Sequence, residues 1–293
     1  CFREVKMAPA PVLDKLRPKI GTKKELTRAL IGEFTGTFVL VLIVNCVCAQ
    51  NILPKTNQNL LINVNIGVAL AVAFGIAITA KASGGHINPA VTVAMLTLQQ
   101  IKAVKALLYI VAQIAGAFVG AAVAYVVYRD AINAFDAGTR YVIGTRATAH
   151  IFASYPAPHL SILGGLVDQI VGTAIFLFFI LHVLDRRSGY PGWTQPFMIG
   201  LSFVMIGTAL AYNTGYPLNP ARDLGPRLFT LIIGYGGETF SIRDYGWFWV
   251  PLIGPIIGGI VGSYLYHFLI GFHAPPEGEY ETVATRELEP ITD

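Results

Sequence analysis

The chain has 293 residues, of which 54% are hydrophobic and 13% are charged, and its formal net charge is +4. Soluble domains carry about 25% charged residues, so this composition excludes an ordinary soluble globular protein. The excess positive charge lies in the N-terminal segment, where it predicts membrane orientation and no nucleic-acid partner.

Six apolar stretches follow one another along the chain. A helix needs about 20 apolar residues to cross a hydrocarbon core of about 30 Å. These stretches therefore predict an all-α, multi-pass integral membrane protein in the lipid bilayer, with spans at 29–48, 60–80, 103–128, 162–184, 196–212 and 247–270.

Lysine and arginine predict the orientation of these spans. An even number of spans places both termini on one side, and positively charged segments stay in the cytoplasm. Residues 1–25 are predicted to form a basic cytoplasmic tail and residues 272–293 an acidic one, with the plasma membrane as the expected location. The basic residues near the N-terminus are Arg3, Lys6, Lys15, Arg17, Lys19, Lys23, Lys24 and Arg28.

The tripeptide Asn-Pro-Ala occurs twice, as Asn88, Pro89 and Ala90 and again as Asn219, Pro220 and Ala221. Asparagine is a favoured helix N-cap, and proline is favoured at the first helical position. Each copy therefore predicts a short helix, over 91–98 and over 223–233. The segments before them contain glycine or proline, and irregular backbone at membrane depth must line a cavity or be buried in protein. Two re-entrant half-helices are the prediction.

The chain divides into two similar halves, at 29–128 and 160–270. Glu33 in the first span and Gln169 in the fourth lie 55 and 50 positions before the asparagine of their half. Because each half has three spans, the second half is inverted relative to the first. Inverted repeats with broken helices place a site near the bilayer midplane.

From residue 26 to about residue 271 the chain resembles the aquaporins, because GHINPAVT at 85–92 and GYPLNPARD at 215–223 look like the two signature loops of that family. The resemblance implies an hourglass of six tilted helices plus two half-helices, and a homotetramer with one pore per subunit. Features shared with the aquaglyceroporin branch are Asp168-Gln169, Asp223, Arg227 and Pro251-Leu252. This branch implies a passive channel for glycerol, water and other small neutral solutes that excludes protons and ions.

The family register assigns four residues to the narrowest filter. Arg222 is predicted to be its fixed donor, and matching the motifs adds Val68, Gly207 and Tyr216. Glycine and tyrosine fit a glycerol filter, whereas Val68 stands where aquaglyceroporins usually carry an aromatic residue. The hypothesis is a wider opening; a register shift of one or two residues is the alternative, although Asn65 and Gly75 anchor the alignment.

The two loops are also predicted to line the pore. Asn88 and Asn219 can cap their half-helices through the side-chain carbonyl and turn the NH2 group to the lumen. The half-helix N-termini add positive potential that disfavours cations. The predicted ladder of backbone carbonyl acceptors consists of Gly84, Gly85, His86, Ile87, Gly215, Tyr216, Pro217 and Leu218.

Three further polar residues are predicted to hold the loops. Glu33, in an apolar span, should accept hydrogen bonds from a re-entrant loop, and Gln169 is its uncharged counterpart. The neighbouring Asp168 leaves open which of the two acts in the second half. Asp223, in the first turn of its half-helix, suits the positive dipole end and should help to hold its loop. His86 is expected to fix its loop and not to titrate.

Other classes of protein fit the sequence less well. A water-selective aquaporin is disfavoured by Gly207 and Asp223. A secondary transporter would need ionisable residues for ion coupling, and a non-conducting scaffold would not require Arg222. The sequence contains no metal cluster, nucleophile–base set or phosphate loop. We therefore expect no enzymatic activity, no cofactor and no bound metal.

Overall fold

The computed structural model describes residues 11–54 and 60–275. Residues 1–10 of the predicted basic tail and residues 276–293 of the predicted acidic tail therefore lie outside the described residues. Within the described ranges, all regular secondary structure is helical.

Six long helices are apolar enough to cross a membrane. They follow a short helix α1 (Pro11–Ile20) and are α2 (Glu25–Ile52), α3 (Leu61–Ser83), α5 (Ala103–Asp136), α6 (Ile162–Leu184), α7 (Gln195–Thr214) and α10 (Val250–Tyr266). The last continues into a π-helical turn, His267–Gly271. Large apolar side chains such as Leu70, Val126 and Leu201 are exposed on the outside of these helices. The chain is thus a multi-pass integral membrane protein, as predicted.

Two short helices, α4 (Pro89–Thr97) and α8 (Pro220–Thr230), begin at the prolines of the repeated motif. Their 9 and 11 residues span only about 14 and 16 Å at 1.5 Å per residue, so neither can cross the bilayer. Both begin earlier than the predicted 91–98 and 223–233, because the proline is the first helical residue. A π-helical turn (Leu231–Tyr235) follows α8, and then a single α-helical turn, α9 (Glu238–Ser241); two 3-10 turns lie at Ala149–Ile151 and Arg186–Ser188.

The helices pair in two equivalent sets. In the first half α2 packs on α5, and in the second half α6 packs on α10. Each half-helix packs against the last span of the other half, α4 on α10 and α8 on α5, while α3 contacts α7 across the middle. This exchange of partners is what the predicted inverted repeat requires, and the predicted fold is confirmed.

Glycines permit the close approach within each pair. A Cβ at Gly116 of α5 would overlap the carbonyl oxygen of Phe34, and a Cβ at Gly258 of α10 would overlap that of Ile170. Small residues at such crossings let helix backbones touch in lipid, where hydrophobicity alone does not drive association. The two halves therefore use the same packing device at equivalent places.

Candidate channel pore

A cavity of about 830 Å³ extends through the helical bundle. Its lining includes Leu61 at one end of α3 and Ala80 near the other, a distance of about 28 Å at 1.5 Å per residue. Both asparagines of the repeated motif line it, together with Val68, Tyr216 and Arg222. The structure thus brings the two loops and three of the four predicted filter residues to one cavity that is about as long as the hydrocarbon core is thick.

Both asparagines cap their half-helices. Asn88 Oδ1 accepts from the backbone N–H of Ala90 at 2.8 Å, and Asn219 Oδ1 accepts from that of Ala221 at 3.0 Å. Each residue has extended backbone, as a cap requires. The side-chain carbonyls are therefore used up at the helix ends, and the amide nitrogens point elsewhere.

The amide nitrogens join the two halves. Asn88 Nδ2 donates to the carbonyl oxygen of Leu218 at 3.0 Å, and Asn219 Nδ2 donates to that of Ile87 at 2.9 Å. The NH2 groups were predicted to face the lumen; the structure adds a hydrogen bond from each of them to the opposite loop. One N–H of each amide braces the opposite loop, and the second N–H is left for the cavity that both residues line.

Ile87 and Leu218 occupy equivalent strained positions, with φ of 43° and 46°. Side chains other than glycine adopt this left-handed conformation at a cost of about 1–2 kcal/mol. The N–H of Ile87 donates to Glu33 Oε2 at 2.7 Å, and that of Leu218 donates to Gln169 Oε1 at 3.3 Å. The first helix of each half therefore holds the N–H of its own loop, while the asparagine of the other half holds the C=O.

Glu33 is fully buried and binds more than one donor. Its Oε1 accepts from the backbone N–H of His86 at 3.0 Å, and its Oε2 also accepts from Gln113 Nε2 at 2.7 Å. The His86 ring lies 3.2 Å from Thr92 Oγ1 through Nδ1 and packs edge-on against Tyr109. Glu33 thus accepts from two N–H groups of the loop, and the His86 ring contacts the half-helix at Thr92.

In the second half the task is divided. Gln169 binds the end of the loop at Leu218, and its Nε2 donates to Thr214 Oγ1 at 2.9 Å. The carboxylate of Asp168 accepts from Thr214 Oγ1 at 2.7 Å and from Asn213 Nδ2 at 2.9 Å, where the loop begins. The sequence left open whether Asp168 or Gln169 supports this loop. In the structure both contact it, Asp168 where the loop begins and Gln169 where it ends.

The predicted carbonyl ladder is only partly on the cavity. Leu218 does not line it, and its carbonyl oxygen accepts from Asn88 Nδ2. The other seven residues line the cavity: Gly84, Gly85, His86, Ile87, Gly215, Tyr216 and Pro217.

Arg222 is held by a loop that the sequence analysis did not include. Its Nη1 donates to the carbonyl oxygen of Phe152 at 2.6 Å, and its Nη2 lies 4.0 Å from Cys48 Sγ. Cys48 also lines the cavity. The Phe152 carbonyl thus holds the Arg222 guanidinium in place, and Arg222 forms part of the cavity wall.

Asp223 holds that same loop. Its carboxylate accepts from the backbone N–H and the hydroxyl of Ser154 at 2.8 and 2.7 Å, and it is paired with Arg227 at 2.8 Å. Both charged side chains are fully buried, and Arg227 Nη2 donates to the carbonyl oxygen of Ser154. Asp223 was expected to hold its own re-entrant loop; it instead positions the segment whose Phe152 carbonyl binds Arg222.

Gly207 does not line the cavity. A Cβ there would lie 2.6 Å from Asn65 Oδ1 and 2.7 Å from Tyr216 Cζ. The space that a side chain would take is already filled by the Tyr216 ring and the Asn65 amide. Glycine and tyrosine were both predicted to form the filter; in the structure Gly207 lies behind the cavity wall and provides the surface on which the Tyr216 ring packs.

The cavity mouth near Arg222 includes His150 and Tyr155, which pack edge-on. Burial lowers the pKa of the His150 imidazole, and the Arg227 guanidinium lowers it further. Burial also raises the pKa of Tyr155. Both side chains are therefore neutral at physiological pH. In the part of the chain that the structure describes, no group of three or more His, Cys, Asp or Glu side chains could hold a metal ion.

Comparison with known proteins identifies the family. A family model described as "Major intrinsic protein" matches residues 21–266. The chain is 40% identical to Aquaporin-9 of Homo sapiens over 269 residues, which cover 91% of this chain and 90% of that protein. It is 44% identical to Aquaglyceroporin-2 of Rhizophagus irregularis over 240 residues, covering 82% of this chain and 76% of that protein. The X-ray structure of the aquaglyceroporin from Plasmodium falciparum matches with a TM-score of 0.75 and 33% identity, covering 84% of this chain and 97% of that one. The chain belongs to the major intrinsic protein family.

Proposed function

We propose that this protein is a passive channel for glycerol, water and other small neutral solutes. The observation that carries the proposal is the long cavity in which apolar side chains and polar groups line the same passage. Val68 and the Tyr216 ring offer carbon, while Arg222 and the loop backbone offer donors and acceptors. Relatives named aquaglyceroporins point in the same direction.

A passage lined by both apolar side chains and polar groups suits a polyol, which has a carbon backbone and several hydroxyl groups. The carbon backbone of glycerol can slide along Val68 and Tyr216 while its hydroxyl groups accept from Arg222 and donate to loop carbonyls. Because these carbonyls follow one another along the cavity, the hydration of the solute is exchanged stepwise. Many weak contacts, with no deep binding site, are what rapid conduction requires.

Exclusion of ions and protons follows from the half-helices. Each N-terminus carries roughly half a positive charge, and α4 and α8 begin at asparagines that both line the cavity. The remaining N–H of each asparagine amide donates to a passing oxygen. Such an oxygen cannot at the same time relay a proton along a continuous chain.

Val68 sets the proposed size limit. It stands where the family resemblance implies an aromatic filter residue, and it lines the cavity. A valine leaves more room than an aromatic ring. We therefore expect glycerol to pass readily and larger polyols to enter.

A coupled transporter is a poorer account of the same residues. Coupling would require a titratable group that exchanges ions with the lumen. Glu33 accepts hydrogen bonds from two loop N–H groups, and Asp168 is bound by Thr214 and Asn213. Both carboxylates are committed to holding loops, so the proposal is a channel and not a coupled transporter or an enzyme.

The arrangement in the cell is part of the proposal. Residues 26–271 form the channel domain, with repeats at 29–128 and 160–270, and the flanking segments 1–25 and 272–293 are cytoplasmic. The positive charge near α1 supports this orientation. We also propose a homotetramer in the plasma membrane, with one pore per subunit.

Stopped-flow light scattering on proteoliposomes tests the function. Vesicles with the purified protein should shrink quickly in an impermeant osmolyte and, in a glycerol gradient, should shrink and then reswell faster than empty vesicles. Fast shrinkage with glycerol reswelling no faster than in empty vesicles would identify a water-only channel instead.

A further inference from the structure

The filter tyrosine has a polar partner behind the cavity wall. Tyr216 Oη donates to Asn65 Oδ1 at 2.6 Å. Asn65 lies one helical turn before Val68 on α3, is only 1% exposed, and does not line the cavity. A buried amide in an apolar helix is costly unless it is hydrogen-bonded. The hydrogen bond from Tyr216 therefore stabilises Asn65, and it also ties the amide to a residue of the predicted filter.

Thr208, on the outer face of α7, determines which groups donate and which accept in these hydrogen bonds. Thr208 Oγ1 donates to the carbonyl oxygen of Val204 at 2.7 Å, and a carbonyl can only accept. The Thr208 oxygen is therefore the acceptor for Asn65 Nδ2, at 3.3 Å. This leaves Asn65 Oδ1 facing Tyr216, whose hydroxyl must donate. The proton of that hydroxyl is directed into the wall and away from the lumen.

We propose that Asn65 is a positioning residue for the channel filter. By accepting from the Tyr216 hydroxyl it holds the phenol ring on its seat at Gly207 and keeps the hydroxyl proton out of the passage. Tyr216 then presents mainly ring carbon to the permeant. The inference rests on the proposed conduction of neutral solutes and names a residue that sets its selectivity.

The small size of Val68 makes this anchor necessary. The Tyr216 ring packs on Phe203 at a centroid distance of 6.3 Å, and Val68, which lines the same cavity, fills less of it than an aromatic residue would. Without the Asn65 oxygen, the Tyr216 hydroxyl would need a partner, and the nearest water-accessible groups lie in the cavity. The ring would then move into the passage and obstruct a polyol more than it obstructs water.

The test is a rescue experiment in proteoliposomes. Asn65→Leu removes the acceptor and keeps a similar volume. We expect the ratio of glycerol to water permeability to fall about fivefold, since one hydrogen bond determines where the ring sits. Adding Tyr216→Phe removes the hydroxyl that seeks a partner. The double variant N65L/Y216F should recover the ratio to within about twofold of wild type.

A matched control distinguishes the role of Asn65 from the general effect of losing a buried amide, and a second variant is available if N65L does not assemble. Asn45 of α2 is as buried as Asn65, does not line the cavity, and its amide has no hydrogen-bond partner among the described residues. Asn45→Leu should leave the glycerol-to-water ratio unchanged. Should N65L fail to assemble, Thr208→Val on the exposed face of α7 releases the Asn65 amide. It should lower the ratio in the same direction by less, and Y216F should again restore it.

Two results would overturn the inference: an unchanged ratio in N65L, or a double variant as impaired as N65L alone. The second result would mean that Asn65 merely supports the packing of α3 on α7. If the wild type passes water but no glycerol, the proposed glycerol conduction is wrong. The positioning role of Asn65 is then tested by comparing the water permeability of the variants with that of the wild type. Loss in N65L with recovery in the double variant then supports the inference, and loss without recovery overturns it.

Discussion

The two re-entrant loops share a backbone shape but are held by different chemistry. Ile87 and Leu218 have nearly the same left-handed φ, and each is bound across the midplane by the asparagine of the other half. A carboxylate at Glu33 holds two N–H groups of the first loop, whereas an amide at Gln169 holds one of the second. The shape thus depends on satisfying particular backbone groups and not on the charge of the partner.

The half-helices differ in a second way. Thr92 and Asp223 both lie four positions after the asparagine of their half. Thr92 donates to the Asn88 carbonyl oxygen within its own helix, whereas Asp223 binds Ser154 of another loop and pairs with Arg227. Thr92 Oγ1 also accepts from Gln113 Nε2 of α5 at 3.0 Å, so the first half-helix is tied to the side chain that binds Glu33, while the second is tied to the segment that fixes Arg222. Of the four predicted filter residues, Gly207, Tyr216 and Arg222 belong to the second half and Val68 to the first.

The largest expected effect comes from breaking that tie. Asp223→Asn leaves Arg227 charged and fully buried without a carboxylate, which costs about 3–5 kcal/mol of stability. Thermal unfolding in detergent should show a large fall in Tm. The double variant D223L/R227M removes both charges and should be more stable than D223N; a single variant as stable as wild type would show that the tie is unimportant.

A smaller effect is expected when the support of the first loop is made like that of the second. Glu33→Gln keeps one acceptor oxygen but turns an NH2 group toward the other loop N–H, so the free energy of unfolding should fall by about 2 kcal/mol. Glycerol permeability should fall with it. The reverse exchange, Gln169→Glu, should bring no gain, because a second carboxylate would lie beside Asp168. Wild-type stability in E33Q would contradict the asymmetry described here.

The filter offers a change that affects selectivity and not stability. Val68→Phe should narrow the passage and lower the permeability of four- and five-carbon polyols relative to glycerol by about tenfold. Val68→Leu should give an intermediate value. Uptake of a graded polyol series into proteoliposomes measures the effect. Unchanged relative permeation in V68F would mean that position 68 does not limit the opening.

The smallest effect is expected from external pH. Because burial and Arg227 lower the pKa of His150 below its usual value of about 6.5, its imidazole stays predominantly neutral as the pH falls from about 8 to 7. The folded state favours the neutral ring, so stability is lost only as the pH falls below this range, through the unfolded pKa of about 6.5 and then through the lower folded pKa. Water permeability should match that of His150→Gln over this range; a pH step seen in the wild type and absent in H150Q would contradict it.

Much of the fold could be predicted because membrane constraints act on the sequence directly. Apolar length marks the six spans, and Asn-Pro marks the start of each half-helix, since the cap and the first helical residue have specific requirements. Glu33 could be assigned to a loop because a carboxylate in an apolar span needs donors. These predictions depend on neighbours in sequence or on a single chemical need.

The remaining features depend on contacts between distant segments. Phe152 and Ser154 fix Arg222 and Asp223 through backbone atoms, and no side-chain pattern marks a carbonyl that will be used in this way. The cross-brace of the two asparagines requires the loops to meet. Asn65 carried a signal, being a polar residue in an apolar span, but its partner Tyr216 is 151 positions away.

Measurement of glycerol flux and proton flux in the same preparation of proteoliposomes tests the central claim most directly. Vesicles containing the wild-type protein and a trapped pH dye are exposed to a glycerol gradient and, separately, to a pH step. The account predicts glycerol entry well above that of empty vesicles and proton entry equal to theirs. Glycerol entry no faster than in empty vesicles, or proton entry that rises together with it, would contradict a channel for neutral solutes.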